Sequence, residues 1–278
     1  MMNLLRADFR RIRKDKLLLV MGILAVAFAL ITPLLYSILF SSTDVADDPM
    51  VSSMLSGYIT AKSQFFASFS LGNNLGLAIP ILLVIILCKD FSYGTIRNKI
   101  IAGKSRSAIF MSLFISCSVL LTAVMLLHAF MTLFVSLIFF DYQATPFTLG
   151  DFWYFLASLA FEILILLCIA ALLSWLCAVM KNVGLVIVLY VAFIFALIII
   201  GSILQVVIGV MEMTGGDEST LSILRFFDRI NIASAASYIG MGNSYSIQDV
   251  LYFTLPSLLG IAGFGGLGLM KFRKKDLK

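Results

Sequence analysis

The chain is predicted to be an all-α integral membrane protein with six transmembrane helices and both termini inside, its first span preceded by an amphipathic helix. Three observations predict this class. Of the 278 residues, 61% are hydrophobic and 13% charged, and the mean hydropathy is +1.06; soluble chains are nearer half apolar and a quarter charged. Six stretches have the length that crosses a bilayer, since about 30 Å of hydrocarbon needs about 20 apolar residues at about 1.5 Å each. The basic residues fall in alternate connecting segments.

Residues 1–16 place Leu4, Leu5, Phe9 and Ile12 at helical spacing with arginines between them, a pattern for a cytoplasmic helix lying on the inner leaflet. A plain basic anchor is the simpler alternative. The six-span region covers 17–270. Its first span, Leu17–Phe40, is longer than a signal-peptide core and no A-x-A-like site follows, so it is expected to be retained. The second, Phe69–Cys88, carries Gly72, Asn73, Asn74 and Gly76 near its outer end and Pro80 in its interior. Gly72 and Gly76 form a small-xxx-small pair for close helix approach, and Pro80 is expected to bend the helix. The third span, Ile109–Phe140, would run about 48 Å and must tilt or begin in the interface.

Phe139, Phe140, Tyr142, Trp153 and Tyr154 suit an outer aromatic belt. The fourth span, Phe152–Val179, and the fifth, Val183–Val210, are separated only by the polar Met180–Asn182 and require a tight inner hairpin. The outer segment 211–249 holds Glu212, Asp217, Glu218, Arg225, Asp228, Arg229 and Asp249, and its second half, INIASAASYIGMGNSY, is too short and polar to span. That half is either a plain outer loop or a re-entrant helical pair, the latter tolerated where protein covers its backbone. Val250–Met270 is the sixth span, and 271–278 is a basic cytoplasmic tail.

Every Lys and Arg except Lys62, Arg225 and Arg229 lies on the inner side of this arrangement. Basic loops stay cytoplasmic, which fixes an even number of spans. The net charge of +5 therefore reports topology and contact with anionic membrane lipids. The basic residues flank spans instead of forming a separate domain, which argues against nucleic acid as a partner.

Catalytic and cofactor signatures are sparse. The single histidine, His128, sits in the third span with no acid within a helical turn; a packed, hydrogen-bonded role fits better than catalysis. Neither a HExxH zinc pair nor a GxSxG sequence occurs. Gly103-Lys104-Ser105 looks like the end of a phosphate-binding loop, but Asn98 stands where its first glycine is required, so no nucleotide, metal or other cofactor is expected on this chain. The four cysteines, Cys88, Cys117, Cys168 and Cys177, lie in or at the ends of spans and read as packing residues. Glu162 lies within the fourth span, where a charge costs about 3 kcal/mol. It is read, with Asn73 and Asn74, as a candidate for a substrate path or helix contact; a neutral, hydrogen-bonded structural glutamate is the alternative.

Between the second and third spans lies the basic segment 89–108. It reads Asp90-Phe-Ser-Tyr-Gly94-Thr95-Ile96-Arg97-Asn98-Lys99 and, further on, Gly103-Lys104-Ser105-Arg106. An acid followed by Gly-Thr and a basic-hydrophobic run ending near Ser-Arg resembles the permease subunits of ABC-2 type exporters, which usually carry Glu where this chain has Asp90. The basic N-terminus, six spans and basic tail are similar to that family over essentially the whole length. The resemblance implies a short cytoplasmic coupling helix near Gly94–Ile101 that docks a separately encoded ATPase. Its contact set would be Asp90, Gly94, Thr95, Ile96, Arg97, Lys99, Ile100 and Arg106, with Ile96, Ile100 and Ile101 forming an apolar face. It further implies a second permease subunit, identical or related, ATP and magnesium bound only by the partner, a bacterial cell membrane, and an amphipathic substrate such as a peptide, drug or lipid-like molecule. An ion-coupled secondary transporter and a non-transporting membrane sensor or assembly subunit are the other function classes.

Overall fold

A computed structural model describes residues 2–41, 60–70, 76, 78–140, 146–180, 182–239 and 244–274, and all secondary structure among them is helical. In chain order the helices are α1 (Met2–Arg13), α2 (Lys16–Ser41), α3 (Ala61–Ala67), α4 (Ala78–Ser92), α5 (Thr95–Ile101) and α6 (Arg106–Phe139). They continue with α7 (Leu149–Val179), α8 (Val183–Thr214), α9 (Glu218–Ile230), α10 (Ile232–Tyr238) and α11 (Ile247–Lys274).

Local chemistry sets the boundaries. Ser105 caps α6 by accepting from the Ala108 N–H, and Thr148 and Asp151 form a reciprocal capping box at the start of α7. Asn182 caps α8, which ends at Gly215 with φ of +69°; short polar side chains satisfy the free N–H groups of a first turn. The Gly103-Lys104-Ser105 run is thus a turn and cap between α5 and α6.

Among the described residues α2, α6, α7, α8 and α11 are each long and apolar enough to cross a membrane, and α4 with α5 makes a sixth only if the two are taken as one span bent by 49°. α6 and α7 are the most enclosed, while α2, α8 and α11 keep most of their apolar surface exposed. Helices apolar all round with uncovered faces are stable only against an apolar surrounding, so the chain is a multi-pass membrane protein by composition and packing.

The second predicted span is corrected. No helix starts at Phe69: the Thr60 capping box begins α3 ahead of the expected span, and the Ser68 hydroxyl bonding to the Phe65 carbonyl at 2.6 Å helps close it. Phe69 and Ser70 form the turn that follows, and α4 starts at Ala78. Pro80 therefore sits in the first turn of α4, where its missing N–H has no intrahelical partner to lose, and does not bend a helix interior. Gly72, Asn73 and Asn74 lie outside the described residues, as do Tyr142, Lys181 and 275–278.

α1 and the C-terminal end of α11 meet at one end of the bundle, because Arg106 donates to the Arg273 carbonyl at 2.8 Å and the Ser112 hydroxyl donates to Asp8 at 2.6 Å. At the opposite end, α9 turns at Asn231 into α10. Among the described residues of 211–249, α10 follows α9 directly and packs against it. Asn231 Nδ2 donates to the Leu197 carbonyl at 2.8 Å. Leu197 lies about 25 Å along α8 from its Thr214 end, so the hairpin tip reaches well down the bundle.

Candidate functional site

The site is assembled where α4, α5, α1 and α6 converge. The last turn of α4 carries Lys89 and Asp90. The chain then turns at Gly94, whose φ of +68° is a left-handed conformation costly for residues with a side chain. α5 follows with Ile96, Lys99 and Ile100 on one face, as spacings of three and four dictate. Ile96 is buried, Ile100 is half-buried against the core, and the Lys99 side chain is 11% exposed. Arg97, Asn98 and Ile101 lie on the opposite, exposed face, and Tyr93 beside them is also exposed.

Lys99 Nζ lies 2.7 Å from Asp8 Oδ1 and 3.3 Å from Asp90 Oδ2. Arg11 pairs with the other oxygen of Asp90, which is fully buried, and Lys89 Nζ lies 2.6 Å from Asp15 Oδ2. Three carboxylates and three cations thus join the N-terminal helix to the segment between α4 and α6. Burial pushes the Lys99 ammonium below its ordinary value, with Asp8 opposing. Burial likewise lowers Arg11, with Asp8 and Asp15 opposing. For Asp15, burial pulls upward but is outweighed by the Lys89 and Leu17 hydrogen bonds and by the nearby Arg11 charge, so its carboxyl is held below the usual range. Removing one partner from such a cluster strands a buried charge, so the cluster acts as a rigid tie between α5 and α1.

The residues of the expected coupling set face two ways. Lys99 is engaged by Asp8 and Asp90, and Arg106 by Arg273, so these two are turned into the protein; Arg97 and Lys104 remain exposed. Ile101 does not join Ile96 and Ile100, because it stands one residue round the helix and is 74% exposed. Thr95 opens α5 and is partly exposed. Asp8, Arg11, Asp15 and Ser112 were missed. The signal was present: Asp8 lies four residues from both Leu4 and Ile12, an acid on the apolar stripe of α1.

Phe272, fully buried, lies 6.2 Å from Phe91 and 6.1 Å from Phe110 between ring centres, and fastens the end of α11 beside this cluster. Glu162 is fully buried in α7, about 26 Å along the helix from Val179, so it is not part of the site. Asn73 and Asn74 fall outside the described residues. His128 is buried with Nδ1 3.1 Å from the Ala25 carbonyl, a packed histidine. The four cysteines are buried, Cys88 and Cys177 with sulfurs 3.4 Å apart. No protein-family model matches this chain, and no curated protein matches it.

Proposed function

We propose that this chain is the membrane subunit of an ATP-driven exporter of the ABC-2 permease kind, with six spans, both termini cytoplasmic, in a bacterial cell membrane. The observation that best supports this is the two-faced character of α5. One face is locked into the bundle through Ile96 and Lys99, and the other offers Tyr93, Arg97, Ile101 and Lys104 to a partner. A short helix held this way transmits force instead of yielding to it. An ATPase docked on the exposed face would move α5, and the Lys99–Asp8 and Arg11–Asp90 pairs would carry that motion into α1 and α4.

ATP and magnesium would be held by the ATPase, a second permease subunit would complete the pathway, and the substrate would be amphipathic. The test is co-purification with a candidate ATPase after Arg97→Glu and Ile101→Asp, changes confined to the exposed face. Expected is a loss of ATPase recovery of about tenfold or more with unchanged thermal stability. Full recovery together with full transport would remove the docking role.

A further inference from the structure

At the end of the bundle away from α5, a cavity of about 380 Å³ lies between α8, α9 and α10, lined by residues that include Gln205, Glu212, Arg225, Asp228, Arg229 and Tyr238. Its lining holds two acids, Glu212 and Asp228, and two bases, Arg225 and Arg229, but they do not pair one to one. Arg225 is held by Glu212 at 2.7 Å and Glu218 at 3.5 Å. Arg229 is held by Asp249 at 2.8 Å and lies over the Tyr252 ring at 5.7 Å. Both arginines therefore have carboxylates of their own. Asp228 is 1% exposed; its Oδ2 accepts from the Tyr238 hydroxyl at 2.8 Å, while its Oδ1 has no hydrogen-bond partner and no ion pair reaches it among the described residues. A buried carboxylate with an idle oxygen is costly unless a cation or donor completes it.

We infer that this cavity binds an organic ammonium group, with Asp228 as its counter-ion. The N–H donors of an ammonium match the unpartnered Oδ1 of Asp228. The Tyr238 oxygen, its own proton committed to Asp228, and the Gln205 side-chain carbonyl supply further acceptors. A metal ion is a poorer fit: among the described residues no three His, Cys, Asp or Glu side chains gather to hold one. The site stands apart from the exporter reading, because binding is measured on this chain without an ATPase.

The test uses the full chain in phosphatidylcholine nanodiscs at neutral pH, titrated with hexylammonium and with hexanol as its neutral isostere, and read by saturation-transfer NMR. Hexylammonium is expected to bind at least about tenfold more tightly than hexanol, the scale of one charge-assisted hydrogen bond. Asp228→Asn keeps the shape and still accepts from Tyr238, and is expected to reduce hexylammonium to the level of hexanol. Equal affinities in the wild-type chain would overturn the proposal; that comparison stands even if the variants fail to fold. An unchanged preference in a folded Asp228→Asn protein would overturn it equally. Replacing part of the lipid with phosphatidylethanolamine assigns the source: weakened hexylammonium binding means a lipid headgroup fills the site, and unchanged binding means a soluble amine.

Discussion

Lys99 Nζ of α5 lies 2.7 Å from Asp8 Oδ1 of α1, a contact between residues far apart in sequence that ties the N-terminal helix to α5. Asp8 is itself held by Ser112 at 2.6 Å, so the pair is fixed to the long α6 as well. α1 is thereby bound into the protein by charge, beyond whatever its apolar stripe contributes at a membrane surface.

This pair should behave as a unit. Asp8→Asn leaves Lys99 buried with only the longer contact to Asp90, and the expected loss is about 3 kcal/mol of unfolding free energy. Lys99→Met alone strands Asp8 at similar cost. The double variant removes both charges and should recover much of the loss, because the two penalties share one cause. Chemical denaturation of the four proteins in the same detergent measures this. Simply additive losses would show that the two residues are not coupled.

The Lys89–Asp15 pair sets a pH dependence of known sign. The folded Asp15 carboxyl is held below its ordinary value, so its contribution is fully present above about pH 4 and is lost as pH falls through the folded value. The Lys89 side chain is 34% exposed, so screening limits the effect to about 1 kcal/mol or less. The melting temperatures of the wild-type chain and Asp15→Asn should differ slightly at neutral pH and converge in acid. A gap that widens below pH 4 would contradict the sign.

The long spans were legible because hydrophobic length is a one-dimensional property. The structure places α2, α6, α7, α8 and α11 within a few residues of the expected spans. The expected second span begins too early because Phe69 adjoins the apolar run that follows, yet Phe69 packs with Phe65 and Phe66 beside α3, the Phe65 and Phe69 ring centres 5.4 Å apart. An apolar run alone does not distinguish a continuous helix from two segments joined by a turn. At the candidate site, the α4–α5 segment was legible from its motif, but its partners were not. Asp8, Arg11 and Asp15 lie some 75 residues or more before Asp90 and Lys99, and nothing along a single chain announces which charges will meet once helices pack.

The hairpin of α9 and α10 depends on Gly201. A Cβ there would meet the Ser234 hydroxyl oxygen, and the Asn231 amide nitrogen would lie only 3.1 Å away. Asn231 also donates to Leu197, so the same turn both caps α10 and holds the hairpin against α8. Gly201→Val should push the turn off α8 and cost about 1–3 kcal/mol through overpacking. Hydrogen exchange should rise across α9 and α10 while α6 and α7 stay protected. Uniform exchange with an unchanged melting temperature would mean the close approach carries no weight.

The proposed orientation predicts which residues water-borne reagents can reach. In that orientation, read from the alternation of basic segments, α5 would lie inside the cell and α9 outside. The four native cysteines are buried, so the background reaction with a membrane-impermeant maleimide should be low. Thr95 begins α5, and Ser219 is exposed in the first turn of α9. In intact cells Ser219→Cys should label readily, and Thr95→Cys only after the membrane is permeabilised. Labelling of both in intact cells would break the even-span topology, since these positions then share one side. Labelling of Thr95→Cys alone would invert the protein, remove α5 from the reach of a cytoplasmic ATPase, and leave the docking proposal without a physical basis.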